Sequence, residues 1–379
     1  MISLGNGLRR ACAGLAGMLL LGACAHPARP IAPVAADTVT YSAAISAARQ
    51  EQLLMNIVRL RYNDPVSFVD VQQLTTTETA LVRGDLSSAI ALGGQSFDEI
   101  LNGAAAAELT SQPTIAYSAL RGGDYAQQLL QPLPPATIFL MSQSGWSVER
   151  LMLCCLARIG DLDNARAAAG PTPSSLPDNT DFRNLARLMR AMQEQGNLLV
   201  QVIDTGEAAA GASRVVIKWR RSAAHGEELA NLFRTHWVTD VQEISGDRYV
   251  AEISTRGNEL GDYSARGRSL LGVLSAVSQS VHVPAEHADI ARRSDAAGSV
   301  PAPCLAPGGW HDVNGGFFAV ASSKDKPDTA SVAVQYRGYW FYIDDRCHDA
   351  KATLNLIDHL YALQAGISND TTTLFLLGG

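Results

Sequence analysis

The densest group of chemistry-bearing residues is Asp344, Asp345, His348 and Asp349, directly after the aromatic run "GYWFYI". Paired carboxylates with an imidazole within one helical turn can hold a metal or share acid and base work. The same residues can also open a helix, where acids meet free N–H groups and complement the dipole. That second use is the ordinary one. The sequence therefore assigns no catalytic, cofactor-binding or metal-ligating residue. Asp344, Asp345 and His348 remain the one centre an enzyme could use.

Other clusters are weaker. His282, Glu286 and His287 in "VHVPAEHAD" flank Pro284, which interrupts any helix, and their spacing matches no common zinc signature. They read as a surface loop. Lys218 and Arg220 in "KWRRS" fall on one strand face, as solvated charges usually do. Tyr339, Trp340, Phe341 and Tyr342 could form a binding face, but strand alternation sends half of them into a core. Cys154 and Cys155 lie in the helical-looking stretch "VERLMLCCLARIG" and read as buried small hydrophobes. Nucleophilic use has only Arg150 and Arg158 nearby to support it. No GxSxG, HExxH, P-loop, dinucleotide fingerprint or CxxC occurs.

The remaining chemistry lies at the N-terminus. "MISLGNGLRR" carries Arg9 and Arg10 and no acid, and "ACAGLAGMLLLGA" is apolar and too short to span a bilayer as a helix. A basic head and a short apolar run form a secretory signal, residues 1–23. Leu21-Gly22-Ala23-Cys24 resembles the lipobox of bacterial lipoproteins. In that family the cysteine is acylated and becomes the mature N-terminus, so the resemblance makes Cys24 a lipidation site. More than one acyl chain is needed for stable anchoring, and lipoproteins of this kind carry several. Ala25, where an Asp would signal inner-membrane retention, points to the outer membrane. Residues 24–40, with three prolines and many small residues, read as a tether.

Composition bounds the rest. The chain has 379 residues and a net charge of −7, which becomes more negative once Arg9 and Arg10 leave with the signal. That balance argues against nucleic acid as a partner. Apolar content of 47% with 18% charged residues marks a globular body, long enough for two domains. Beyond Cys24 and the paired Cys154-Cys155, Cys304 and Cys347 lie in loop-like settings. Secretion permits a bridge between them, though spacing alone does not establish one.

Periodicity places the elements. Leu53, Ile57 and Leu60 make a helical stripe within 42–62 that Asn63-Asp64-Pro65 ends. Residues 66–95 are Thr- and Val-rich and read as strands with turns at Gly84 and Gly93-Gly94; such strands could pair between subunits or enter a membrane. A small-residue helix is expected at 97–109, a strand at "PTIAYSAL", and helices at 122–131 and 146–159. The stretch 171–180 is the expected linker between a helical and extended domain, 41–170, and an α+β domain with a mostly antiparallel sheet, 181–379. In the latter, helices are expected at 181–195, 226–237, 265–279 and 347–363. Strands are expected at 198–203, 214–220 and 248–254, a hairpin turning at Arg337-Gly338, and a last strand at "TTTLFLL".

The blocks "EQLLMNIVRLRYNDP", "QSGWSVERLMLCCL", "YSARGRSLLGVL" and "VAVQYRGYWFYIDDRCHDAKATLNLIDHLYALQAG" resemble a family of uncharacterised proteobacterial lipoproteins over nearly all of the mature chain. The resemblance implies an envelope location and no activity. In that family's pattern an acid and a leucine stand at the positions of Cys347 and His348, so a Cys304–Cys347 bridge would be particular to this chain. The function expected is a lipid-anchored, periplasm-facing scaffold or accessory that works through an envelope protein partner. An envelope-polymer enzyme using Asp344, Asp345 and His348 ranks second.

Overall fold

A computed structural model describes residues 32–83, 106–119, 122–165, 176–204, 213–236, 238–254, 265–291, 304 and 310–369. The signal segment with Cys24, the expected turns at Gly84 and Gly93-Gly94, and the strand at "TTTLFLL" lie outside the described residues. The chain divides into two compact units, Met1–Arg49 and Gln50–Gly379.

Helix α1 (Ala32–Arg61) begins inside the expected tether. Alanine favours helix there, and Pro33 sits in the first turn, where its missing N–H costs nothing. In the second unit α1 buries Leu53, Leu54, Ile57 and Val58. Strands β1 (Val69–Arg83) and β2 (Ala106–Ala119) follow and pair antiparallel. The expected helix at 97–109 is thus overturned at its C-terminal end. Alanines 106 and 107 favour helix only weakly, and pairing with Val82 and Arg83 overrides that preference.

Next come α2 (Gly122–Tyr125), continued by a π-helical turn (Ala126–Leu130), α3 (Pro135–Gln143) and α4 (Val148–Cys155). The Ser147 hydroxyl caps α4 by accepting from the Arg150 N–H. The helix expected to run to 159 stops at Cys155. Leu156–Ile159 is instead β3, hairpinned to β4 (Leu162–Asp163).

Residues 180–254 make a compact αββαββ layer. Helix α5 (Thr180–Glu194), strands β5 (Leu198–Asp204) and β6 (Ser213–Arg220), helix α6 (Gly226–Thr235), and strands β7 (Val241–Ile244) and β8 (Arg248–Ser254) follow in order. The antiparallel sheet runs β5-β6-β8-β7. One face carries Val215, Ile217, Trp219, Ala251 and Ile253, all buried, while Phe182, Leu185 and Met189 of α5 and Leu229 and Phe233 of α6 are buried too. The Trp219 indole donates to the Gly226 carbonyl at 3.0 Å, so the largest core side chain has its polar atom satisfied. On the other face Lys218 is half-buried and Arg220 exposed, and Arg214 pairs with Glu252 at 2.6 Å.

This layer is an insertion. β9 (Ala265–Gly267) returns to pair with β3, from the near side of the layer. The approach is tight: a Cβ on Gly267 would sit 1.9 Å from the Leu133 carbonyl oxygen, so only glycine fits. The helix expected from 265 therefore starts later, as α7 (Leu270–Ser278), capped by the Ser269 hydroxyl. The expected linker at 171–180 separates no two cores. One continuous apolar core runs from Leu53 through Leu151, Phe182 and Leu270 to Tyr361.

A short helix α8 (Trp310–Val313), the three-stranded sheet β10 (Ala321–Ser323), β11 (Ala330–Tyr336) and β12 (Tyr339–Asp344), and α9 (His348–Asn369) complete the fold. β11 and β12 turn at Arg337 and Gly338, both at positive φ, as a two-residue hairpin requires. The chain is α+β with antiparallel sheets throughout its named ladders. Among the described residues, no helix is long and apolar enough to cross a membrane.

Candidate functional site

The acidic cluster after β12 does not converge on one centre. Asp344 is buried, and its carboxylate accepts from the Arg346 guanidinium at 2.8 and 3.0 Å and from the Thr329 hydroxyl at 2.6 Å. Those bonds, Arg346 first, hold its carboxyl far below the usual carboxylate range. It can neither donate nor take up a proton near neutrality. Asp345 is exposed and pairs with Lys351 at 2.7 Å. Asp349 reaches away to Arg150 at 2.5 Å, a guanidinium that also bonds Thr353 and lies 4.5 Å over the Phe317 ring. His348 is exposed on the first turn of α9. The acids therefore stitch the β12–α9 corner together. Among the described residues no group of three or more His, Cys, Asp or Glu is placed to hold a metal.

Asp344 has a measurable consequence. A depressed carboxyl stabilises the fold above its ordinary pKa, and that contribution is lost as pH falls through the depressed value. Asp344→Asn should lower stability at neutral pH and flatten the loss of stability below pH ~4. Denaturant midpoints followed against pH check this. An Asn variant with the wild-type acid slope would contradict it.

Cys304 and Cys347 are joined in a disulfide, with Cα atoms 5.0 Å apart. Cys154 and Cys155 are free and buried, and burial pushes the Cys155 thiol well up, away from nucleophilic use. The loop of His282, Glu286 and His287 is tied down. His287 Nδ1 bonds the Tyr62 hydroxyl at 2.8 Å, and the Glu286 carboxylate takes the Tyr339 hydroxyl and Lys324. Of the aromatic run, Phe341 is fully buried, while Tyr339, Trp340 and Tyr342 are half-buried.

Among the described residues, the β1–β2 arm is a sheet with no neighbour beyond its own two strands. The 14-residue β2 pairs with the 15-residue β1 along its whole length, apart from one bulge between Val71 and Gln73. At about 3.3 Å per residue the ladder runs roughly 45 Å. Among the described residues neither strand has a second neighbour. A lone two-stranded ribbon is marginal in water, and among the described residues each outer edge presents N–H and C=O groups without a strand beside it.

The arm's root is fixed with care. The Asn56 side chain, fully buried on α1, donates to the Ser67 carbonyl at 2.7 Å and accepts from the Ser67 N–H at 3.0 Å. One turn earlier, Gln52 does the same for Val69, at 3.1 and 3.4 Å. Two amide side chains thus stand in for a neighbouring strand. Between them Phe68 is buried and stacks on Tyr361, with centroids 5.7 Å apart. At the same corner Asp64 accepts from the Tyr336 hydroxyl at 2.5 Å and from Arg337 at 2.7 Å, and both bonds lower its carboxyl. The direction in which the arm leaves the body is therefore set by packing and hydrogen bonds. Sequence reasoning found the strand but not the root; "NIV" on an apolar helical stripe was the available signal, since Asn56 is a fully buried polar residue amid Leu53, Leu54, Ile57 and Val58.

Scans of family models, curated proteins and solved structures found no match to this chain.

Proposed function

We propose that this chain is a lipid-anchored protein of the bacterial outer membrane, its body in the periplasm, that acts through protein contacts as a scaffold or accessory of an envelope assembly. Cys24 is the acylated residue. The observation that carries the reading is the rooted β1–β2 arm, whose two edges can each add a strand from a partner. Two further points support it. The Cys304–Cys347 disulfide belongs to an oxidising compartment such as the periplasm. The lipobox-like Leu21-Gly22-Ala23-Cys24 and the resemblance to proteobacterial lipoproteins support an N-terminal lipid anchor.

An envelope-polymer enzyme built on Asp344, Asp345 and His348 has less support, because each acid is committed to a separate cation. Cross-linking in living cells, with recovery through a C-terminal tag, tests the proposal. The wild-type chain should return specific envelope proteins, and Cys24→Ser should be released from the membrane and lose them. A Cys24→Ser chain that stays membrane-bound, or a wild type that returns no partner, contradicts it.

A further inference from the structure

A cleft of about 320 Å³ opens between the first turn of α4, the outer side of α5 and the turn after α8, with Glu149, Arg183, Arg187 and His311 in its walls. Its polar groups are poorly matched to one another. His311 is only 9% exposed, yet its Nδ1 is buried with no hydrogen-bond partner among the described residues. The ring is held close against Gly316, where a Cβ would lie 3.3 Å from Nε2. Arg183 is fixed by a 2.9 Å bond from Nη1 to the Asp312 carbonyl, which leaves its Nε–H buried and without an acceptor. Arg187 is exposed and bonds Asn184 at 3.5 Å, at the limit of a hydrogen bond. Glu149 accepts no hydrogen bond, and partial burial raises its carboxyl above the ordinary range.

Buried polar groups in folded proteins are nearly always satisfied, so two orphans in the wall of one cleft call for an explanation. The volume falls within the usual range for small-ligand sites. Two guanidiniums and an imidazole share the lining with the acids Glu149 and Asp312, and guanidinium geometry matches carboxylate and phosphate oxygens.

We propose that this cleft binds a small ligand bearing an oxyanion, a carboxylate or a phosphate, between Arg183, Arg187 and His311, with Glu149 as the opposing charge that limits its affinity. The ligand supplies acceptors to the exposed Arg187 guanidinium and to the part of Arg183 that reaches the cleft. The proposal is independent of the arm and of the anchor.

Calorimetric titration of the detergent-purified protein at neutral pH, with inorganic phosphate and separately with succinate, tests it. At least one anion should saturate the site, and the preferred one identifies the oxyanion class. Arg187→Gln should weaken binding about tenfold, the loss of one charge-assisted hydrogen bond. Glu149→Gln should tighten it several-fold by removing the opposing charge. Both side chains are at least partly exposed, so melting temperatures should stay at the wild-type value. No saturation by either anion, or binding that neither substitution changes, would overturn the site.

Discussion

Replacing Arg268 with methionine should destabilise the protein by roughly 4 kcal/mol, since it strips the side-chain donor from the buried carbonyls of Cys154 and Asn164, at about 1–3 kcal/mol each, and leaves that of Leu153 with Asn164 alone. Arg268 is 4% exposed and has no carboxylate partner among the described residues. Its Nη1 donates to the carbonyls of Leu153 and Cys154, both at 3.0 Å, and its Nη2 donates to Asn164. The Leu153 and Cys154 oxygens belong to the last turn of α4, whose carbonyls lack helical partners, and a cation suits the negative end of a helix dipole. Asn164 completes the cap by donating to Met152, Leu153 and Leu156. The Arg268 backbone also bonds Cys155 and Leu133, at 2.7 and 2.9 Å, so one residue ties α4, β9 and the segment before α3 together. Lysine should rescue little, because it lacks the planar fork that spans several acceptors. Chemical denaturation of both variants checks this. A loss below about 1 kcal/mol for Arg268→Met would show that water or repacking satisfies the freed carbonyls.

The second large effect is expected from the disulfide. Cys304 and Cys347 are 43 residues apart, and in the chain-entropy account closing a loop of that length stabilises the fold by about 4 kcal/mol. Against total stabilities of about 5–15 kcal/mol, that is a large share. Cys347 is buried at the start of α9, next to the Asp344 corner, so the bridge also steadies the element that carries Tyr361 under the arm's root. Replacing both cysteines with serine, or reducing the protein, should lower the melting temperature by several degrees. Identical melting with and without reductant would contradict this.

Much of the local structure was legible from periodicity. The α5 stripe of Phe182, Leu185, Met189 and Met192, the strands around Val215–Trp219, and the Arg337-Gly338 turn all follow from spacing and turn chemistry. The errors arose where distant pairing outweighed local preference. Nothing near Leu156 signals that a strand about a hundred residues later will pair with it, so α4 looked longer and the αββαββ insertion looked like the start of a second domain. Alanines 106 and 107 looked helical because their partner strand lies beyond any local window. The Asp344 cluster was legible as a helix opening, but its cation was not, since an Arg two residues on signals no particular geometry. The cleft was not legible either. Glu149, Arg183, Arg187 and His311 come from three elements, and none stands in a motif. Arg268 was hidden for a similar reason: its partners are backbone carbonyls, which leave no mark in a sequence.

The central claim is that the protein works by contacts made through its arm. Pro113 lies in β2 and carries no N–H, whereas β1 contains no proline. The most direct measurement places a photo-reactive residue at Thr77 on β1 and, as a control, at Arg220 on the exposed face of the inserted sheet, in cells carrying the anchored protein. The account predicts a discrete cross-linked envelope protein, or a second copy of this chain, from Thr77 and none from Arg220. Adducts from Arg220 with Thr77 silent would contradict it.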